Sequence, residues 1–247
     1  MSTRRAFQRR RAIAPPKESF LSNVFGAFVD PIDALVTIFF SILFALLFTL
    51  SYSILIYRGV IDSSFSSGYG LSLFGAILGA VAAWGIIDGV IYVLSEVFMR
   101  GERHRLLQYI QSSESEETAV AAIADELDFI LEPITSADQR LALYHDMLPY
   151  LSQAEPQKVG LEREDLVGAG ALVLISVVAV LPSLLPLLVL PDNTALAIRI
   201  SNIVSTVVIF FAGYSWGSHT GTNPWKTGLL LASICLSMVL VAFLLGG

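Results

Sequence analysis

Five stretches of this chain, Ile32–Tyr57, Leu71–Phe98, Leu166–Leu190, Ala195–Trp216 and Trp225–Leu245, run for twenty residues or more almost without charge. A helix needs roughly 20 apolar residues to cross a hydrocarbon core about 30 Å thick. Backbone groups in lipid must satisfy one another, which leaves helices and closed barrels. None of the five stretches alternates polar and apolar residues at period two, so the barrel pattern is absent. The expected fold is therefore all-α: a polytopic membrane protein with five transmembrane helices.

Composition agrees. Only 15% of the residues are charged and 55% are hydrophobic, whereas a soluble domain carries about 25% charged residues. The one cysteine, Cys235, lies inside an apolar run, so neither a disulfide framework nor a thiol metal cluster is expected. The basic start is not read as a secretory signal, because no short apolar core with a small-residue cleavage site follows it.

Positive charge in the short flanks sets the orientation. Arg4, Arg5, Arg9, Arg10, Arg11 and Lys17 precede the first span, and Arg100, Arg103 and Arg105 follow the second. The stretch Arg58–Gly70 has a single basic residue, Pro191–Thr194 has none, and Gly246 and Gly247 are uncharged. The expectation is a cytoplasmic N-terminus, an outer or luminal C-terminus, and a cytoplasmic stretch from Arg100 to Asp165. The organisation then reads as a basic arm (1–29), helices one and two (30–99), an acidic helical insert (100–165) and helices three to five (166–247).

Within the insert, Ser113 with Glu116 forms a capping-box pattern for a new helix that Pro133 limits. Val120, Ile123, Leu127, Ile130 and Leu131 recur at three- and four-residue steps, which predicts one apolar face. Glu114, Glu117, Asp125, Asp128 and Glu132 fall on another stripe, within about 60° of one another at 100° per residue. A second helix is expected to start near Ser136, with Gln139 completing its box, and to run toward Pro156. Like charges side by side cost a few tenths of a kcal/mol per pair. Water, a basic partner or a divalent cation would offset that, since carboxylate oxygens suit Mg²⁺, Ca²⁺, Mn²⁺ and Fe²⁺. His104 and His145 read as surface residues.

Ionisable groups inside spans cost about 2.5–3.5 kcal/mol at a helix centre on insertion scales and are usually functional. Asp33, Asp88 and Glu96 stand out. Asp33 and Glu96 fall near the cytoplasmic ends of adjacent antiparallel spans, and Asp88 lies eight residues before Glu96, about 12 Å deeper. The three read as a ladder able to dehydrate a hard cation or relay protons, with Tyr92 one turn from both Asp88 and Glu96. The competing reading of Asp33 and Glu96 is an interfacial carboxylate reaching the headgroups. For Asp88 it is a structural hydrogen bond to Asn202 or Ser205. Pro182 and Pro186 are expected to free carbonyls in the third span, and Gly213 and Gly217 to allow close helix approach.

The local motifs resemble the vacuolar iron transporter family of divalent-metal transporters. Asp33-Ala34-Leu35-Val36-Thr37 is similar to that family's Asp-Gly-Leu-Val-Thr, with Ala34 in place of glycine. Leu181-Pro182-Ser183-Leu184-Leu185-Pro186 resembles its proline-containing third span, and Gly213-Tyr214-Ser215-Trp216-Gly217-Ser218-His219-Thr220-Gly221 its closing hairpin. The second span reads Ala83-Trp84-Gly85-Ile86-Ile87-Asp88-Gly89, where the family has small residues with methionine and Gly-Glu-Tyr; only Met99, at the end of that span, is at hand as a methionine ligand. The resemblance implies a homodimer exporting Fe²⁺ or Mn²⁺ from the cytoplasm in exchange for protons. Asp33, Asp88 and Glu96 would form the path, and Glu114, Glu117, Asp125, Asp128 and Glu132 would capture metal. Metal is then substrate, and no prosthetic group is implied.

Hydrolytic chemistry has no support, because no nucleophile–base–acid set or phosphate loop appears; neither an enzyme nor a nucleic-acid binder is expected. Two alternatives stay open: a non-transporting membrane scaffold whose acidic insert binds a basic partner, and a transporter of another small solute that uses Asp88 as a proton site.

Overall fold

Asp30 and Pro31 open the first helix, α1 (Pro31–Tyr57). The Asp30 carboxylate accepts from the Ile32 amide at 2.9 Å, and proline at the first position needs no partner for an N–H it lacks. The same device recurs before α7, where Asn223 precedes Pro224 and its side-chain oxygen accepts from the Lys226 amide. At the other end of α1, Gly59 takes a positive φ of 67°. Its amide and that of Val60 reach back to the carbonyls of Ile56 and Leu55, both at 3.0 Å, which satisfies the last turn.

The computed structural model describes residues 29–60, 69–156 and 158–244. Among them are seven helices and no strand: α1, α2 (Tyr69–Ser112), α3 (Glu116–Leu131), α4 (Ala137–Gln153), α5 (Arg163–Val189), α6 (Thr194–His219) and α7 (Pro224–Leu244). Of these, α1, α2, α5 and α6 are long and apolar enough to cross a membrane. The chain is an all-helical protein of the integral-membrane type. The basic arm, most of the stretch Arg58–Gly70 and the final glycines lie outside the described residues.

The second apolar run was expected to stop at Phe98. Instead α2 continues to Ser112, 44 residues in all, or about 66 Å at 1.5 Å per residue. No proline and no capping residue interrupts it after the hydropathy falls. Its first half belongs to one compact unit and its second half to another, the boundaries being residues 89/90 and 166/167.

In the first unit α6 packs against α7, and α1 against both. Leu73, Ile77 and Val81 of α2 join Val180, Leu184 and Leu187 of α5, with Ala45, Ala197 and Ile198, in one buried cluster. A second cluster holds Ile42, Leu46, Ile209 and Cys235, so the thiol is a packing group. Both prolines of α5 lie inside the helix. Gly213 and Gly217 serve the close approach expected of them: a Cβ on Gly217 would stand 2.7 Å from the Pro224 Cα, and one on Gly213 3.0 Å from the Gly228 Cα.

The second unit holds the end of α2 with α3 and α4. Ile110, Ala119, Val120, Ile123 and Tyr144 form its core, flanked by Leu106, Leu127, Leu131, Leu148 and Leu151. The box at Ser136 and Gln139 forms as expected. The one at Ser113 and Glu116 does not. Ser115 is the N-cap, its hydroxyl accepting from the Thr118 amide, and the Ser113 hydroxyl turns back to the Tyr109 carbonyl. Ile130 also departs from the expected apolar face at 57% exposure, because the last turn of α3 packs through Leu127 and Leu131.

Candidate functional site

The first unit is apolar, yet a line of hydroxyls is buried within it. On α1, Thr37 and Ser41 follow Asp33 one and two turns on, Thr49 lies further along the helix, and all three hydroxyl residues are at most 1% exposed. Ser41 donates to the Thr37 carbonyl at 2.7 Å and Thr49 to that of Ala45 at 2.9 Å. Returning hydroxyl protons to the preceding turn is how such side chains sit inside an apolar helix at low cost. Thr49 also reaches the Asn202 side-chain oxygen on α6, at 2.7 Å. Ser201, buried on the same helix, donates to the Ser183 carbonyl of α5. The hydroxyl oxygens of Ser183 and Ser205 and the indole nitrogen of Trp84 are buried without a hydrogen-bond partner among the described residues.

Thr37 is the centre of this line. Its hydroxyl donates to the Asp88 carboxylate on α2. Asp88 is half-buried, so it is neither sealed nor freely solvated. The partner is thus α1, rather than Asn202 or Ser205 as first considered; Asn202 is engaged by Thr49 instead. Asp33 lies one turn before Thr37 and is half-buried. Glu96, also half-buried, belongs to the second unit.

The expected acid stripe in the second unit breaks up. Glu114 precedes the N-cap and so is not on the helix. Asp128 turns toward α4, where its Oδ1 accepts from the Tyr144 hydroxyl at 2.7 Å and pairs with the Arg140 Nε at 2.8 Å. Burial, and next the hydrogen bond to Asp128, push the Tyr144 phenol above its usual range. Glu117, Asp125 and Glu132 are exposed. Among the described residues no three His, Cys, Asp or Glu side chains gather where one metal ion could sit. His145 pairs with Glu116 at 2.9 Å.

Sequence reasoning missed the hydroxyls. The available signal was Thr37 and Ser41 at four-residue steps after Asp33, and Ser201 four residues before Ser205, inside apolar runs.

No family model, curated protein or solved structure matches this chain.

Proposed function

We propose that the chain is a multi-pass transporter of a small cation, with Asp88 as the carboxylate that binds and releases the ion or its counter-proton. The observation that carries this reading is the Asp88–Thr37 contact: a half-buried acid on an apolar helix, served by a buried hydroxyl. An acid at such a place is costly unless an ion visits it. The buried hydroxyls of α1, α5 and α6 supply further oxygen ligands for a partly dehydrated cation.

In the specific form of this proposal, α7 is a fifth span, the N-terminus and the second unit are cytoplasmic, and the cargo is Fe²⁺ or Mn²⁺ leaving the cytoplasm in exchange for protons. The resemblance to the vacuolar iron transporters supports this form, as does the preference of oxygen donors for hard cations. Asp33, one turn before Thr37, would extend the path from Asp88. Any capture of metal by Glu117, Asp125 or Glu132 would need oxygens from elsewhere, such as a second copy in a homodimer, because no three such groups gather among the described residues.

Proteoliposomes test it. Mn²⁺ uptake coupled to a change of internal pH is expected, falling at least tenfold in Asp88→Asn. Uptake that survives this substitution would remove Asp88 from the mechanism. A second reading, a membrane scaffold that docks a partner on its second unit, is favoured by the exposure there of Phe129 (84%), Ile134 (74%) and Tyr150 (80%). Folded protein without metal flux would favour it.

A further inference from the structure

The second unit contains a cavity of about 330 Å³, within the ~300–1,000 Å³ typical of small-ligand sites. Its floor is apolar, formed by Leu107, Ile110, Ile123, Leu127, Met147 and Leu151 from the end of α2, α3 and α4. Its polar lining is sparse and of mixed sign. Arg100 is already paired, through Asp165 and Glu162. His104 lines it as well and is engaged, which leaves Arg103, Glu126 and Glu155, one cation and two anions, none with an ion pair among the described residues. Arg103 and Glu126 also line a neighbouring, more polar depression with Glu102 and Arg105, so the charged side of the cavity continues outward.

We infer that this cavity binds a single-chain zwitterionic amphiphile, its tail on the apolar floor and its phosphate-and-ammonium head across Arg103, Glu126 and Glu155. A purely anionic head would meet one attractive group and two repulsive ones. A purely cationic head would meet two attractive groups and one repulsive one, and would leave Arg103 unanswered. A zwitterion complements all three. The site is separate from Asp88, and the inference does not depend on the transport reading.

The full chain, held in amphipol and separately in phosphatidylcholine nanodiscs, is photolabelled with a dodecylphosphocholine carrying a diazirine near the tail end, and the adducts are mapped by mass spectrometry. Label is expected on peptides containing Ile110, Ile123, Leu127 or Met147. Unlabelled dodecylphosphocholine should compete at least tenfold better than dodecyl sulfate, dodecyltrimethylammonium or dodecyl maltoside. Leu127→Trp, which fills the floor, should abolish that label. Arg103→Gln and Glu126→Gln, at surface positions that leave folding intact, should each weaken competition several-fold. Label confined to the apolar spans, or equal competition by all four head groups, would overturn the proposal. Label seen in amphipol but lost in nanodiscs would assign the cavity to two-chain bilayer lipid and overturn the single-chain assignment.

Discussion

Among the described residues of the first unit the buried polar side chains are neutral: Thr37, Ser41, Thr49, Ser176, Ser183, Thr194, Ser201 and Ser205. Among those of the second unit the buried polar side chain is a charge, Asp165, held by Arg100 through paired contacts, one of them 3.1 Å long. Asp165 also accepts from the Glu162 amide at 2.8 Å, which ties down the entry to α5 just before its apolar stretch begins at Leu166. The difference follows from what each unit has to offer a polar group. A hydroxyl can return its proton to its own helix, as Ser41, Thr49 and Ser176 do, so it needs no counter-charge from elsewhere. A carboxylate has no such local solution. Where one is buried, another element must bring a donor, Arg100 in one unit and Thr37 in the other. The two acids therefore differ in kind: Asp165 is paired with an opposite charge, whereas Asp88 is paired with a neutral hydroxyl.

Removing the partner of the buried acid tests that contrast most strongly. Arg100→Ala strands Asp165 at 4% side-chain exposure and is expected to cost about 3–5 kcal/mol. Arg100→Met combined with Asp165→Leu should recover most of this, because both charges leave together. Hydrogen exchange read peptide by peptide separates the two units. Protection should collapse across α3 and α4 and persist in α6 and α7. An equal loss in both would mean that the units unfold as one body, and the contrast between them would lose its basis.

Within the first unit, packing should outweigh polarity. Gly217→Leu drives a side chain into the backbone of Pro224, an overpacking expected to cost about 3 kcal/mol. Gly75→Leu meets nothing within 4 Å and serves as the control. Thermal unfolding of the purified protein should show a clear drop for the first and little change for the second. Thr37→Val comes next, at about 1.5–2 kcal/mol, the lower part of the range for a hydrogen bond to a charged group. It should also slow any ion uptake, because Asp88 loses the donor that orients its carboxylate. Uptake unmoved by Thr37→Val would make Asp88 as structural as Asp165.

Features that depend on neighbours in sequence were legible; those that depend on neighbours in space were not. The Ser136–Gln139 box, the close approach at Gly213 and Gly217 and the apolar helices themselves follow from local pattern. Around residues 112–118 the serines and acids offer overlapping caps, and local pattern alone cannot choose Ser115 over Ser113. Hydropathy marks where apolar residues stop, not where a helix stops, which is why α2 outruns its apolar run by more than three turns. Asp88 was legible as an odd residue in an apolar span, but its pairing with Thr37 depends on which helix packs beside α2. Asp128 reads as one more acid on a stripe until α4 brings Arg140 and Tyr144 to it.

The exposed acids of α3 mark the weak end of the contrast. Glu117 stands in the first turn of the helix, where a negative charge gains roughly 0.3–1 kcal/mol from the helix dipole. Asp125, in the middle of the helix, has no such support. Neutralising Glu117 loses that gain but relieves repulsion along the stripe, and the two effects are of similar size. Glu117→Gln combined with Asp125→Asn should therefore change stability by no more than about 0.5 kcal/mol, as is usual at exposed sites. Mn²⁺ titrated by calorimetry into wild type and the double variant then isolates function from folding. Lost heat in the variant would show that α3 meets metal with help from beyond one chain. Equal heats would leave these acids as a solvated face, and the transport reading would then rest on the acids of the apolar spans, Asp88 first.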